Sequence, residues 1–163
     1  MSEQQPSRGG AWDFRGTVRP EYSPRRDNPP DPGEVVWAWI PFEEDHRVGK
    51  DRPLLVIGRD ADDKRVFVGL MLSSKDHGGH PSWYPVGAGP WDREHRPSWV
   101  RLDRKLAVRA DAVRREGAAL PPQTFHAVVD RALSGTRSFA SASDIVPQRR
   151  PGLLSRLKGL FRR

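Results

Sequence analysis

Gly49–Asp60 reads GKDRPLLVIGRD: an apolar run, Leu54 to Ile57, stands directly behind three charged residues and a proline. Four apolar residues bounded by Pro53 and Gly58 are too few for a helix and read as a buried strand. Pro53 is expected at the strand's first position, where its missing N–H breaks no ladder hydrogen bond. Lys50, Asp51 and Arg52 then sit at the mouth of a core strand. There the sheet fixes their backbone while their side chains reach solvent.

Working outward, the flanking segments carry the same signal. In EVVWAWIPF (34–42), Val36, Ala38 and Ile40 alternate with Val35, Trp37 and Trp39, a first strand with two usable faces that Pro41 ends. EEDHRVGKD (43–51) is a polar loop. RVFVGLMLS (65–73) reads as a third strand, and residues 75–98 as a long Gly-, Pro-, His- and Trp-bearing loop with a short strand near Trp83–Val86. SWVRLDRKLAV (98–108) alternates and reads as one further strand. RADAVRRE (109–116) reads as one or two helical turns, and GAAL (117–120) as a short edge strand. In PPQTFHAVVDRAL (121–133), Phe125, Val128, Val129, Ala132 and Leu133 fall on one apolar stripe, with prolines at the entry and Gly135 expected to close the helix. Short strands with one helix predict an α+β fold, a small antiparallel barrel or rolled sheet.

Composition sets the limits. The chain has 163 residues, 36% hydrophobic and 30% charged, which suits one domain with tails. Residues 1–30 are Pro- and Arg-rich and read as a disordered tail, 31–135 as the domain, and 136–163 as a Ser- and Arg-rich tail. The net charge is +7, but residues 134–163 hold seven basic residues and one acid, so the excess belongs mostly to the C-terminus. A high pI therefore says little about the domain, and a nucleic-acid site there must be a local cluster. Leu153, Leu154, Leu157, Leu160 and Phe161 share a face among basic residues. That pattern suits either a solvated tail or a short basic helix touching nucleic acid, a partner or a membrane surface. There is no cysteine, no apolar run long enough for a membrane span and no apolar leader at the N-terminus. A cytoplasmic protein is expected.

Five segments taken in order, PGEVVW, GKDRPLLVIG, GLMLSSKDHG, SWVRLDRKLAV and PPQTFHAVVDRAL, resemble the PemK/MazF-type toxins of type II toxin–antitoxin systems over roughly residues 31–134. The chain departs from that pattern in its Lys50–Asp51 spacer, one residue longer than usual, in Ser73 where threonine is common, and in the length of the 75–98 loop. The resemblance implies a homodimeric SH3-like antiparallel barrel with a C-terminal helix. It implies metal-independent cleavage of single-stranded RNA, such as mRNA, by 2′-hydroxyl attack to a 2′,3′-cyclic phosphate and a 5′-hydroxyl, restrained by a cognate antitoxin protein. No cofactor is expected. The competing readings are a non-catalytic nucleic-acid- or protein-binding module on the same barrel, such as a gyrase-binding toxin, and a degenerate descendant whose tails carry the function.

By resemblance, Arg52 falls on the family's catalytic arginine. A guanidinium matches phosphate oxygens with a planar fork of donors, and its pKa suits it to stabilising a phosphorane rather than taking a proton. Ser73 falls on the family's hydroxyl position, with Ser74 the alternative if the register slips by one. Arg101 and Asp103 match an Arg-x-Asp used for acid–base work, with simple structural pairing equally open. His46, in the polar loop, has a free pKa suited to proton transfer, against an exposed loop histidine as the plain reading. Lys50, Ser74, Lys75 and Trp39 are the expected RNA contacts. Trp37, Trp83, Tyr84, Trp91 and Trp99 divide between packing and base stacking. HGGH (77–80) lacks the third and fourth ligands of a metal site, so no metal is assigned. Arg52, Ser73 and Arg101 converging on one cleft would favour the nuclease; scattered positions would favour a binding module.

Overall fold

The computed structural model describes residues 9–24 and 30–137, without the side chains of 115–117 and 135–137. The C-terminal segment with the leucine-rich face lies outside the described residues. Nine strands and one helix follow in order: β1 (Trp12–Asp13), β2 (Val18–Pro20), β3 (Glu34–Pro41), β4 (Gly49–Asp60), β5 (Val66–Ser73), β6 (Trp83–Gly87), β7 (Ser98–Arg101), β8 (Leu106–Arg109), β9 (Val113–Ala119) and α1 (Pro122–Arg137). All strand pairs are antiparallel and form one curled sheet in the order β1-β8-β5-β4-β3-β9, with β2 added to β4 and the β6–β7 hairpin added to β5. No described helix is long and apolar enough to cross a membrane.

The sheet is built around β4. Its apolar centre, Leu54 to Ile57, is fully buried. Alternation sends Leu54 and Val56 into a core shared with Val36, Ala38, Ile40, Phe67, Met71, Leu106 and Val108. Leu55 and Ile57 are equally buried on the opposite face, so the strand reads as a continuous apolar run rather than an alternating one. At the far end β2 lies close over Gly58, where an added Cβ would stand 2.1 Å from the Arg19 carbonyl oxygen. Only a residue without a side chain lets that edge pair form.

Several sequence expectations change. Pro53 is not at the start of β4 but inside it, paired with Trp37. It is tolerated because β5 pairs with β4 only from Leu54 onward, which leaves the other edge of residues 49–53 open. SWVRLDRKLAV is two strands: β7 pairs with Leu72–Ser73, β8 pairs with Val66–Gly69, and the chain bends between them. RADAVRRE holds a 3-10 turn only at Ala110–Ala112, after which β9 begins. The helix runs through Gly135 rather than closing there.

The largest correction is at the N-terminus. Residues 9–24 were expected in a disordered tail, yet β1 extends the sheet on β8 and β2 pairs with β4. Ala11, Trp12 and Phe14 are buried. Tyr22 donates its hydroxyl to the Leu120 carbonyl at 2.7 Å and packs on Phe125, ring centroids 4.9 Å apart. The described residues up to Val129 form one compact unit, and the remainder of α1 belongs to a second.

Truncating an aromatic side chain in a genuine core costs roughly 3–5 kcal/mol, whereas a residue in a solvated tail costs less than about 0.5 kcal/mol. Phe14→Ala is expected to fall near the lower end of the first range, about 3 kcal/mol, in urea denaturation followed by circular dichroism. A midpoint indistinguishable from wild type would return residues 9–24 to the tail.

Candidate active site

Where β5 leaves β4, a cleft of about 590 Å³ opens. Its lining takes Lys50, Asp51, Arg52 and Pro53 from β4, and Met71, Leu72, Ser73, Ser74 and Lys75 from the end of β5 and beyond. Opposite stand His77, Trp83, Trp91, Asp92, Arg96, Ser98 and Arg101, with Trp37 from β3. Of the nine residues expected at the site, the structure brings together Arg52, Ser73, Arg101, Lys50, Ser74 and Lys75. Asp103 joins them only through Arg101. His46 and Trp39 do not line the cleft.

Arg52 lies opposite Ala38 on β3, so by alternation it shares the sheet face of Leu54 and Val56. It is half-buried because it continues a core face to the point where the core gives way to the cleft. The acids that flank it in sequence and in the preceding loop are engaged elsewhere. Asp51 accepts from Arg114 at 3.3 Å, Asp45 is held by Arg47 at 2.9 Å, and Glu43 by Arg101 at 2.8 Å. Among the described residues no carboxylate pairs with Arg52. Desolvation, and then the nearby Arg104 guanidinium, push its pKa below the ordinary arginine value. It remains a cation at neutral pH. Arg104 is itself neutralised by a bidentate pair with Asp13 at 2.8 and 3.1 Å, and also donates to the Pro41 carbonyl at 2.8 Å.

Arg101 is a different kind of cation. It ends β7 and donates to Asp103 at 2.6 Å and to Glu43 at 2.8 Å. Burial works against its charge, but these two hydrogen bonds outweigh burial and raise its pKa. Asp103 shows the converse: desolvation acts to raise its pKa, and the hydrogen bond and charge of Arg101 lower it overall. A carboxylate held in this way is a weak base near neutrality, and the two carboxylates of Asp103 and Glu43 more than offset the Arg101 charge.

Ser73 ends β5, paired with Trp99. Its Oγ accepts the Lys75 backbone N–H at 3.1 Å and lies 3.2 Å from His77 Nε2. The His77 ring lies flat on Trp83, centroids 3.7 Å apart and planes at 2°, with the edge of Trp99 at 6.3 Å. Trp83 in turn packs against the core. This contact is the site feature that the sequence reading missed. HGGH is a turn that folds the loop back: the His80 N–H donates to the His77 carbonyl at 3.1 Å, Gly78 N–H donates to Asp76 Oδ1 at 2.8 Å, and Gly79 takes φ +82°. His80 Nδ1 accepts from the Ser82 N–H at 3.1 Å. The paired glycines, read as a turn instead of as a metal motif, are the signal that could have found it.

The opposite wall is fixed just as locally. Trp91 is buried and donates its indole N–H to Ser98 Oγ at 3.0 Å. The side chain of Arg96 grips Asp92 through two bonds at 2.8 and 3.1 Å, and the Arg96 backbone N–H adds a third at 2.8 Å. Together these lower the Asp92 pKa to about 2. His46 is not part of this lining and approaches Asp13 at 3.2 Å, adding to the Arg104 cluster. Trp39 packs over Gly10 and Gly49, and its carbonyl accepts from Ala11 N–H at 2.8 Å, so its role is to seat the N-terminal segment.

No curated protein matches the chain. Among solved structures, an endoribonuclease from a mycobacterial species aligns over 67% of this chain and 92% of its own, with 17% sequence identity and a TM-score of 0.45. The profile of the family described as PemK-like, MazF-like toxin of type II toxin–antitoxin systems matches residues 31–134. That span, well over half of the sequence, holds β3 to β9 and the whole cleft, and the chain belongs to this toxin family.

Proposed function

We propose that this toxin is an endoribonuclease that cleaves single-stranded RNA in the cleft between β4 and β5 by attack of the substrate's own 2′-hydroxyl. The products are a 2′,3′-cyclic phosphate and a 5′-hydroxyl, and no metal takes part. As a type II toxin it has an antitoxin protein for a partner. The observation that carries the reading is Arg52: a half-buried guanidinium with no carboxylate partner among the described residues, in the same cleft as the Ser73 hydroxyl.

The chemistry asks for little else. The nucleophile is supplied by the substrate, so the protein must orient the phosphodiester, stabilise the charge that grows on the phosphorane and move protons. A desolvated guanidinium stabilises phosphoryl oxygens more strongly than an exposed one. Ser73 donates to a second non-bridging oxygen, and Lys50 and Lys75 at the rim draw in the backbone. Arg101, already matched by Glu43 and Asp103, shapes the wall rather than carrying the developing charge.

Two outcomes follow. In excess chelator, purified protein is expected to cut end-labelled single-stranded RNA, leaving termini that polynucleotide kinase labels at the 5′ end without prior phosphatase. Arg52→Ala is expected to lower the cleavage rate at least about 100-fold, as loss of a preorganised charge donor does. Intact RNA with well-folded wild type would leave a binding module. At the second position, Ser73→Ala is expected to cost about 10-fold and Ser73→Thr much less, since threonine keeps the donor. Equal loss in both variants, measured under single-turnover conditions, would remove the hydroxyl from the mechanism.

A further inference from the structure

The cleft still needs a group that takes the 2′-hydroxyl proton, and most of its ionisable lining is spoken for. Asp51 is paired with Arg114, and Asp92 is held by Arg96 with its pKa lowered to about 2. Arg52, Arg96 and Arg101 hold their protons throughout the physiological range. Lys50 and Lys75 present ammonium groups, which donate hydrogen bonds and have no acceptor. His77 is left, an imidazole whose two protonation states fall within the working range of pH.

On this basis, and resting on the nuclease reading above, we propose that His77 is the general base of the cleavage, with Nε2 receiving the 2′-hydroxyl proton beside Ser73. The geometry supports this in three ways. His77 lines the cleft together with Arg52. Its Nε2 already faces a hydroxyl, Ser73 Oγ, at 3.2 Å, inside the reach a proton acceptor needs. Its ring is stacked flat on Trp83 and flanked by the edge of Trp99, so the nitrogen edge is aimed rather than free to swing. In the step, Nε2 accepts the proton, the O2′–P bond forms, and the P–O5′ bond breaks. O5′ keeps the electron pair and takes a proton from water, and His77 then returns its own proton to solvent.

The surroundings favour the neutral, accepting form. Desolvation lowers the His77 pKa from the ordinary 6.5, and the charges of Lys75 and His80 in its own loop and of Arg52 on β4 lower it further, opposed by Asp76. The elements packed against the ring, β6 and β7, contribute the uncharged Trp83 and Trp99 there.

The test is a pH–rate profile of RNA cleavage in chelator, for wild type and His77→Gln, with an imidazole NMR titration of His77 in the wild-type protein. For wild type, kcat/KM is expected to rise with pH through an apparent pKa below 6.5 that coincides with the NMR value. His77→Gln is expected to lose at least about 100-fold in kcat and to lose that acid limb. Its affinity for an RNA carrying a 2′-deoxy residue at the cleavage site should be unchanged. Wild type that cuts while His77→Gln keeps the acid limb overturns the assignment of His77 and leaves the nuclease reading standing. A mismatch between the kinetic and NMR values does the same, even if the variant fails to fold. Wild type that does not cut overturns both.

Discussion

Strand β5 does not stay with β4 along its whole length, and the site lies where the two part. Met71 still faces Leu54 across the ladder, but the next two residues, Leu72 and Ser73, are claimed by Val100 and Trp99 of β7. Beyond Met71 the β4–β5 ladder ends, and the first five residues of β4 are left with β3 alone. The sheet splits, and the gap carries the strand end with Arg52 on one lip and the strand end with Ser73 on the other. Met71 belongs both to the core and to the cleft, so the floor of the site is the core itself.

Charge is distributed over this cleft by pairing rather than by abundance. The domain is rich in arginine, yet Arg96, Arg101 and Arg114 each meet a carboxylate, and Arg104 is sequestered by Asp13. Such pairs add little net potential and little stability. What they do is hold loops in register. Arg52 is left as a desolvated cation beside another guanidinium, an arrangement that costs free energy in the empty protein and is relieved by an anion. That cost is a stronger pointer to an anion site than net charge can be, and the +7 of the whole chain, most of it in the C-terminal segment, would have pointed elsewhere.

How much of this could be read in advance follows from the range of each interaction. Strands β3, β4 and β5 carry eight or more residues each and show their period directly. Strands β1 and β2 have two and three residues, too few for any period, and are held by partners far along the chain, Leu106–Ala107 and Gly58–Asp60. Their composition alone, with Pro, Gly and Arg around Trp12 and Phe14, reads as tail. The break between β7 and β8 was hidden for a related reason. Alternation continues through the bend, and only the change of partner along β5 exposes it. In the cleft, Arg52 and Ser73 were legible because each lies beside the apolar run of a strand of clear pattern. That His46 lies at Asp13 and not in the cleft could not be read, because nothing local ties the two, and the place of His77 in the lining was hidden because HGGH, weighed as metal ligands, is a turn.

The walls share one property that bears on how such a site works. Each is fixed before any ligand arrives: Arg52 by the β3–β4 ladder, His77 by the Trp83 ring beneath it, Trp91 by Ser98, and the 92–96 turn by its own ion pair. Gly89 passes so close to Trp91 that a Cβ there would lie 2.2 Å from the indole, so even the backbone behind that wall is packed tight. A site that must stabilise charge gains most when its dipoles and cations need not move at the moment of reaction. The strand ends supply that rigidity. A loop-borne arginine would have to be ordered by the substrate, at the expense of the binding energy that ordering consumes. Placing the cation on the stretch of a core strand that β3 alone holds, two residues beyond its last pairing with β5, removes that expense, and this is the physical reason for GKDRPLLVIGRD to put charged residues against an apolar run.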